Sequence, residues 1–165
     1  MQALMFGWEF PPHILGGLGT ASYGLTKGMA QQPDMHITFV IPRPWGDEDQ
    51  SFLRIIGADT VPVVWKENSW EYVNRRLQGR MSADEYFYLR QGIHYDYRRI
   101  GTDDLGCIAF SGRYPDNLLE EISNYEAVAS VLAHQLDFDI IHSHDWLTYP
   151  AGVFAKHISG KPLVI

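Results

Sequence analysis

The chain has 165 residues, 45% of them hydrophobic and 20% charged, the balance of an ordinary globule long enough to bury a core. A formal charge of −7 without any basic stripe weighs against nucleic acid as a partner, and Arg75-Arg76 and Arg98-Arg99 read as solvated surface. The lone Cys107 excludes an internal disulfide, no stretch approaches the ~18 apolar residues of a membrane span, and no signal peptide opens the chain, so a cytoplasmic location is expected.

Ala3-Leu4-Met5-Phe6, closed by Gly7, has the length of a buried strand and is too short for a helix. Gly16-Gly17-Leu18-Gly19 follows. Beyond it Leu18, Ala21, Leu25 and Met29 recur at helical spacing and predict an amphipathic helix of roughly three turns, with Gly24 and Gly28 suggesting close packing. Gln31-Gln32-Pro33-Asp34 stops it, and Met35–Ile41, rich in β-branched residues and closed by Pro42, predicts a second strand. Strand, helix, strand makes a βαβ unit, which implies a parallel sheet with a right-handed crossover.

Residues 42 to 60 read as a surface loop with a short helical or extended piece at 52–56. Val61–Trp65 is a candidate third strand that Pro62 moves toward an edge or a strand start. An irregular insertion, about 66–115, holds Trp70, Tyr72, Tyr86, Phe87, Tyr88, Tyr95, Tyr97, Phe110 and Tyr114, and Ser82–Glu85 has the form of a capping box. Those aromatics either pack within the insertion or form a stacking wall for a sugar. Asn117 and Glu120 then stand at N-cap and N3 spacing, and Leu118, Ile122, Tyr125, Ala129, Leu132 and Leu136 mark one face of a long helix. Phe138–His142 predicts a buried strand, Pro150–His157 a helix stopped by Ser159-Gly160, and Pro162–Ile165 the start of another strand.

A strand, a glycine turn and a helix together place bare N–H groups and a helix N-terminus at the mouth of a sheet, where a phosphate or sugar approaches without meeting a Cβ. The turn departs from a dinucleotide fingerprint, because Ser22 stands where the third glycine belongs and the second strand ends in Ile41-Pro42 without a ribose-binding acid. It is no P-loop, since no Gly-Lys-Ser/Thr follows. Service to helix packing alone remains open. His142-Ser143-His144-Asp145 invites a metal, yet His13, His36, His94, His134 and His157 show no spacing that would complete a ligand set, so none is expected. Both segments follow strands and therefore share the carboxyl edge of the sheet, where open α/β sheets bind ligands.

Glu9-Phe10-Pro11-Pro12, Gly16–Gly19 and Asp139–Trp146 resemble the N-terminal half of two-domain GT-B glycosyltransferases, most of all the glycogen and starch synthase group (family 5) and its family-4 relatives. The resemblance runs end to end, although residues 42–115 contribute little. It implies an α/β class, with a three-layer α/β/α Rossmann-like domain over 1–165 and a mostly parallel sheet. It further implies retaining transfer of a hexosyl, preferentially glucosyl, unit from a nucleotide sugar to a saccharide or other hydroxyl acceptor, with no cofactor or metal. By the same resemblance Gly16, Gly17, Leu18 and Gly19 face the donor phosphates, and Glu9, His144, Asp145 and Trp146 line the cleft, Asp145 and His144 being the catalytic candidates. Two positions depart from the family: Ile14 stands where bacterial glycogen synthases usually carry lysine, and Thr20 where aspartate is common. A missing ammonium weakens the case for ADP-glucose. The donor-binding domain is expected beyond Ile165, leaving this chain inactive alone. A non-catalytic saccharide-binding module and a nicotinamide-dependent oxidoreductase domain are the alternatives. Oligomeric state is open.

Overall fold

The computed structural model describes residues 1–63 and 106–165. Among them one parallel sheet has the strand order β3-β2-β1-β4-β5, formed by β1 (Gln2–Phe6), β2 (His36–Ile41), β3 (Arg54–Gly57), β4 (Ile140–Ser143) and β5 (Leu163–Val164). In the central register Leu4 lies between Thr38 and Ile141. The helices are α1 (Gly17–Met29), α2 (Leu118–Gln135) and α3 (Tyr149–Ser159).

Alternation along β1 builds the two cores. Leu4 and Phe6 join Val40 and the apolar faces of α2 and α3 in one cluster, while Ala3 and Met5 join Ile37, Phe39 and Ile41 in another, covered by Tyr23 and Met29 of α1. The expected α/β/α, Rossmann-like arrangement is therefore present. The chain winds from β1 outward to β3 and then restarts at β4 on β1's other side, so the winding direction switches between β1 and β4. A crevice at such a switch is the preferred ligand position in this class of sheet. No helix of the described residues is long and apolar enough to cross a membrane.

Several expectations need correction. The third strand is Arg54–Gly57, and Val61–Val63 makes only an isolated bridge, Pro62 to Cys107. Arg54-Ile55-Ile56-Gly57 reaches parallel register beside β2, whereas Pro62 lacks the N–H that a ladder requires. The expected apolar face of α1 holds only at its ends, where Leu18 and Met29 are partly buried against the two cores. Its buried residues are Gly19, Ser22 and Thr26, while Ala21 and Leu25 are exposed and a Cβ at Gly24 or Gly28 would meet nothing. Asn117 precedes α2 without capping it through its side chain; its amide instead reaches the Glu120 carboxylate at 3.3 Å. The face expected for α2 holds, with Ile122, Tyr125, Ala129 and Leu132 buried. Gly160, at φ 73°, ends α3 as expected. The capping box at 82–85, the two arginine pairs and every insertion aromatic except Phe110 and Tyr114 lie outside the described residues. Those two divide the readings: Phe110 packs on Tyr125 in the core, and Tyr114 is 43% exposed at the sheet edge.

Candidate active site

The loops after β1 and β4 leave neighbouring strands and are tied together at once. His144 N–H donates to the Phe6 carbonyl at 2.9 Å, and Gly7 N–H to that of Val40 at 2.9 Å. Beneath them the Tyr125 hydroxyl shares its proton between the carbonyls of Gly7, at 3.0 Å, and Val40, at 2.8 Å. Burial pushes this phenol well above its usual range, so it stays a neutral donor. One residue of α2 thus anchors the carboxyl ends of β1 and β2.

Glu9 shapes the glycine turn. Its buried carboxylate accepts Leu15 N–H at 2.9 Å and Gly19 N–H at 3.1 Å, fixing the start of α1 from inside. Such a helix start has N–H groups to satisfy and a positive end that favours the carboxylate. The glycines then separate by function. A Cβ on Gly19 would lie 2.2 Å from Ile14 Cγ2 and 3.2 Å from Glu9 Cγ, so close packing demands glycine there. Gly16 and Gly17 would meet nothing, and the extended φ of Gly16 (−154°) is open to other residues. Packing explains one glycine of the three. Ile14, apolar where a cation would face phosphate, serves that packing against Gly19.

In the loop after β4, Asp145 has φ 74°, a left-handed conformation uncommon outside glycine. The turn holding it is built by Thr148, fully buried, whose hydroxyl donates to the carbonyls of His144 (2.9 Å) and Asp145 (3.1 Å). Asp145 Oδ1 accepts the N–H of Trp146, which leaves Oδ2 for a ligand. Trp146 is 54% exposed, a free aromatic face at the rim. Backbone strain persists where surrounding structure overdetermines it, and such residues cluster at functional sites.

His144 is nearly buried against Phe39 and the ring of His142, whose centroid is 4.3 Å away. Burial, and then the neighbouring imidazole, lower its pKa to about 4, so it is neutral at physiological pH. Its Nε2 is buried without a hydrogen-bond partner among the described residues. A neutral imidazole so placed offers a hydrogen bond and no charge. Tyr114, which the sequence marked only as an insertion aromatic, joins the same place. Burial first, and then the negative charges of Glu9 and Asp145, push its phenol up to about 12. No signal in the sequence linked Tyr114 to those carboxylates; a fold-back of the segment after Cys107 does.

The loops carrying Glu9 with the glycine turn and His144-Asp145-Trp146 thus leave adjacent strands, and Tyr114 feels the charge of both Glu9 and Asp145. The acids after β2 are already engaged. Glu48 accepts the N–H groups of Trp45 (2.7 Å) and Gly46 (3.0 Å), and Asp47 pairs with His13 at 2.9 Å. None stands at the strand end as a ribose-binding acid would. No group of three His, Cys, Asp or Glu among the described residues is arranged to hold a metal.

Comparison with known proteins gives the family. The family model described as the starch synthase catalytic domain matches residues 2–164. A glycogen synthase of Chlamydia caviae is 27% identical over 148 residues, 88% of this chain and 28% of that protein. One from Chlamydia pneumoniae is 24% identical over the same shares. The chain thus spans 28% of the length of these curated relatives. The match over residues 2–164 places this chain in the starch synthase catalytic domain family.

Proposed function

We propose that the chain is the acceptor-side half of a GT-B glycosyltransferase, one that moves a hexosyl unit from a nucleotide sugar to a saccharide hydroxyl with retention of configuration. Glucosyl is the preferred unit, because both relatives are named glycogen synthases. The observation that carries this reading is the bareness of Gly16 and Gly17 opposite the strained Asp145 at the switch between β1 and β4. Neither glycine is required by packing, so what each provides is access for a ligand to backbone N–H.

In this assignment the turn 16–19 faces donor phosphate or sugar, held in shape by Glu9. Asp145 orients a sugar hydroxyl, His144 stands behind it as a neutral imidazole, and Trp146 offers its face to the C–H side of a ring. Asp145 and His144 stay the catalytic candidates of this half. Ile14 supplies no cation, so the leaving diphosphate is neutralised from outside the turn. A second domain holds the donor nucleotide in the reading proposed here, and the reaction as assigned uses no metal or cofactor.

The test is hexosyl transfer by the protein that carries this chain, measured with several nucleotide sugars and an oligosaccharide acceptor. Transfer is expected, with Asp145→Asn lowering kcat while the protein stays folded. The 165-residue chain alone should bind ligand without turnover. Clear transfer by the chain alone would overturn the half-site assignment. Saccharide binding by the whole protein without transfer to any acceptor would replace it with a binding module, a reading that the exposed Trp146 and Tyr114 also serve.

A further inference from the structure

Beside this crevice, the loop after β2 presents Trp45, 40% exposed, with the Arg43 guanidinium 5.1 Å and the Arg113 guanidinium 5.7 Å from its ring centroid. The His13 ring lies against the same indole at 4.9 Å. Three segments distant in sequence, at 13, 43–45 and 113, therefore converge on one side chain. The convergence is built. Gly112, at φ 67°, would place a Cβ 3.1 Å from Arg43 Cβ, so its bareness lets the strand-end loop and the segment before α2 approach. Trp8 Nε1 then donates to the Arg113 carbonyl at 3.0 Å and pins that segment to the loop after β1.

Neither guanidinium forms an ion pair with a carboxylate of a described residue, and the nearby Asp47 pairs with His13. Glu48 is engaged by backbone N–H, as above. Asp59 lies within reach of the charge of Arg43, although burial outweighs that attraction and raises its carboxyl, and it forms no ion pair with the guanidinium. An acidic chain has thus brought two cations onto one indole. A guanidinium drawn to an aromatic face keeps its in-plane N–H donors, in the fork geometry that phosphate accepts bidentately. The next residue, Tyr114, already borders Glu9 and Asp145 in the crevice.

We infer that Arg43 and Arg113, mounted on Trp45, form a phosphate-binding site at the rim of the sugar crevice. The inference rests on the transferase reading for its neighbourhood and deepens it. The phosphate belongs either to a phosphorylated acceptor sugar or to the diphosphate of the donor, and the two sources are separable by experiment.

The experiment measures binding of glucose, glucose 1-phosphate, glucose 6-phosphate and a nucleoside diphosphate by calorimetry. The protein is compared with Arg43→Gln, Arg113→Gln, the double variant and the Arg→Lys pair, while the Trp45 indole N–H is followed by NMR. Circular dichroism and melting confirm that each variant is folded. A phosphate ligand is expected to bind more tightly than glucose, to shift the Trp45 signal and to weaken about tenfold per glutamine, with partial retention by lysine and weakening in salt. Loss confined to the sugar phosphates identifies the acceptor as the source, and loss confined to the nucleotide identifies the donor. Unchanged affinity for every phosphate ligand in the double variant would overturn the inference. Transfer to a neutral oligosaccharide separates the two levels: if it persists while phosphate binding ignores the arginines, the site fails and the transferase reading stands. If phosphate binding needs the arginines and no transfer occurs with any acceptor, the site stands and that reading falls.

Discussion

At the scale of single residues, the glycine turn holds two kinds of glycine that sequence cannot distinguish. Gly19→Ala forces a Cβ against Ile14 and Glu9 and should destabilise by roughly 1–3 kcal/mol in urea unfolding, the usual penalty of overpacking. Gly17→Ala enters open space at a helical position and should leave stability equal or raise it by up to ~1 kcal/mol, while transfer falls on the order of tenfold. Asp145 separates in the same way. Asparagine tolerates the left-handed conformation, so Asp145→Asn should keep its melting temperature and lose turnover, whereas Asp145→Ala adds a strain cost of about 1 kcal/mol. His144 supplies a pH signature. Its pKa is lowered on folding from 6.5 to about 4, so the unfolded chain binds the extra proton between these values. Stability is then complete above about pH 6.5 and falls as pH drops through about 4, by a few kcal/mol at most. Denaturant midpoints across this window should show the slope in the native protein and a reduced one in His144→Phe. The strain at Asp145 and the unpaired Nε2 of His144 come from tertiary placement, so no spacing rule could have read them.

At the scale of elements, legibility followed how much each segment owes to its own periodicity. Helix α2 shows its buried face in sequence because large apolar residues line it. Helix α1 buries Gly19, Ser22 and Thr26 instead, and Thr26 satisfies its hydroxyl locally on the carbonyls of Ser22 and Tyr23. A helix that turns small and self-satisfied residues inward and leaves Leu25 44% exposed defeats a hydrophobic pattern. Strand β3 was obscure for a related reason: its four residues are mostly half-exposed, and pairing to β2 defines them. Asn117 holds the expected N-cap position, but its side chain goes to Glu120 rather than to a backbone N–H, while Glu121 is drawn to Ser111, whose N–H and hydroxyl it accepts at 2.8 and 3.0 Å. The strongest single tie between elements is Tyr125. Tyr125→Phe leaves two buried carbonyls without that donor and should cost about 1–3 kcal/mol by chemical denaturation.

At the scale of the molecule, winding direction does what no local motif could. The restart of the sheet at β4 beside β1 brings Glu9 and the glycine turn to His144-Asp145-Trp146 across more than a hundred residues of chain. That convergence was readable from two motifs that each follow a strand; the contributions of Tyr114, Arg43 and Arg113 were not, since they depend on how the segments around 43 and 113 fold back. The opposite, amino edge carries its own cavity of about 230 Å³, lined by residues such as Gln2, Arg54 and Asp137, and provides an internal control. The most direct measurement is backbone-amide NMR mapping of the chain titrated with nucleotide sugar and, separately, with an oligosaccharide. Shifts centred on residues 9, 16–19 and 144–146, joined at most by the rim at 43–45 and 113, and lost from the turn in Gly17→Ala for the donor and from 144–146 in Asp145→Asn for the saccharide, are the result expected. Shifts gathered at the amino-edge cavity, or no saturable shifts with either ligand, would contradict the placement of a sugar-transfer crevice between β1 and β4.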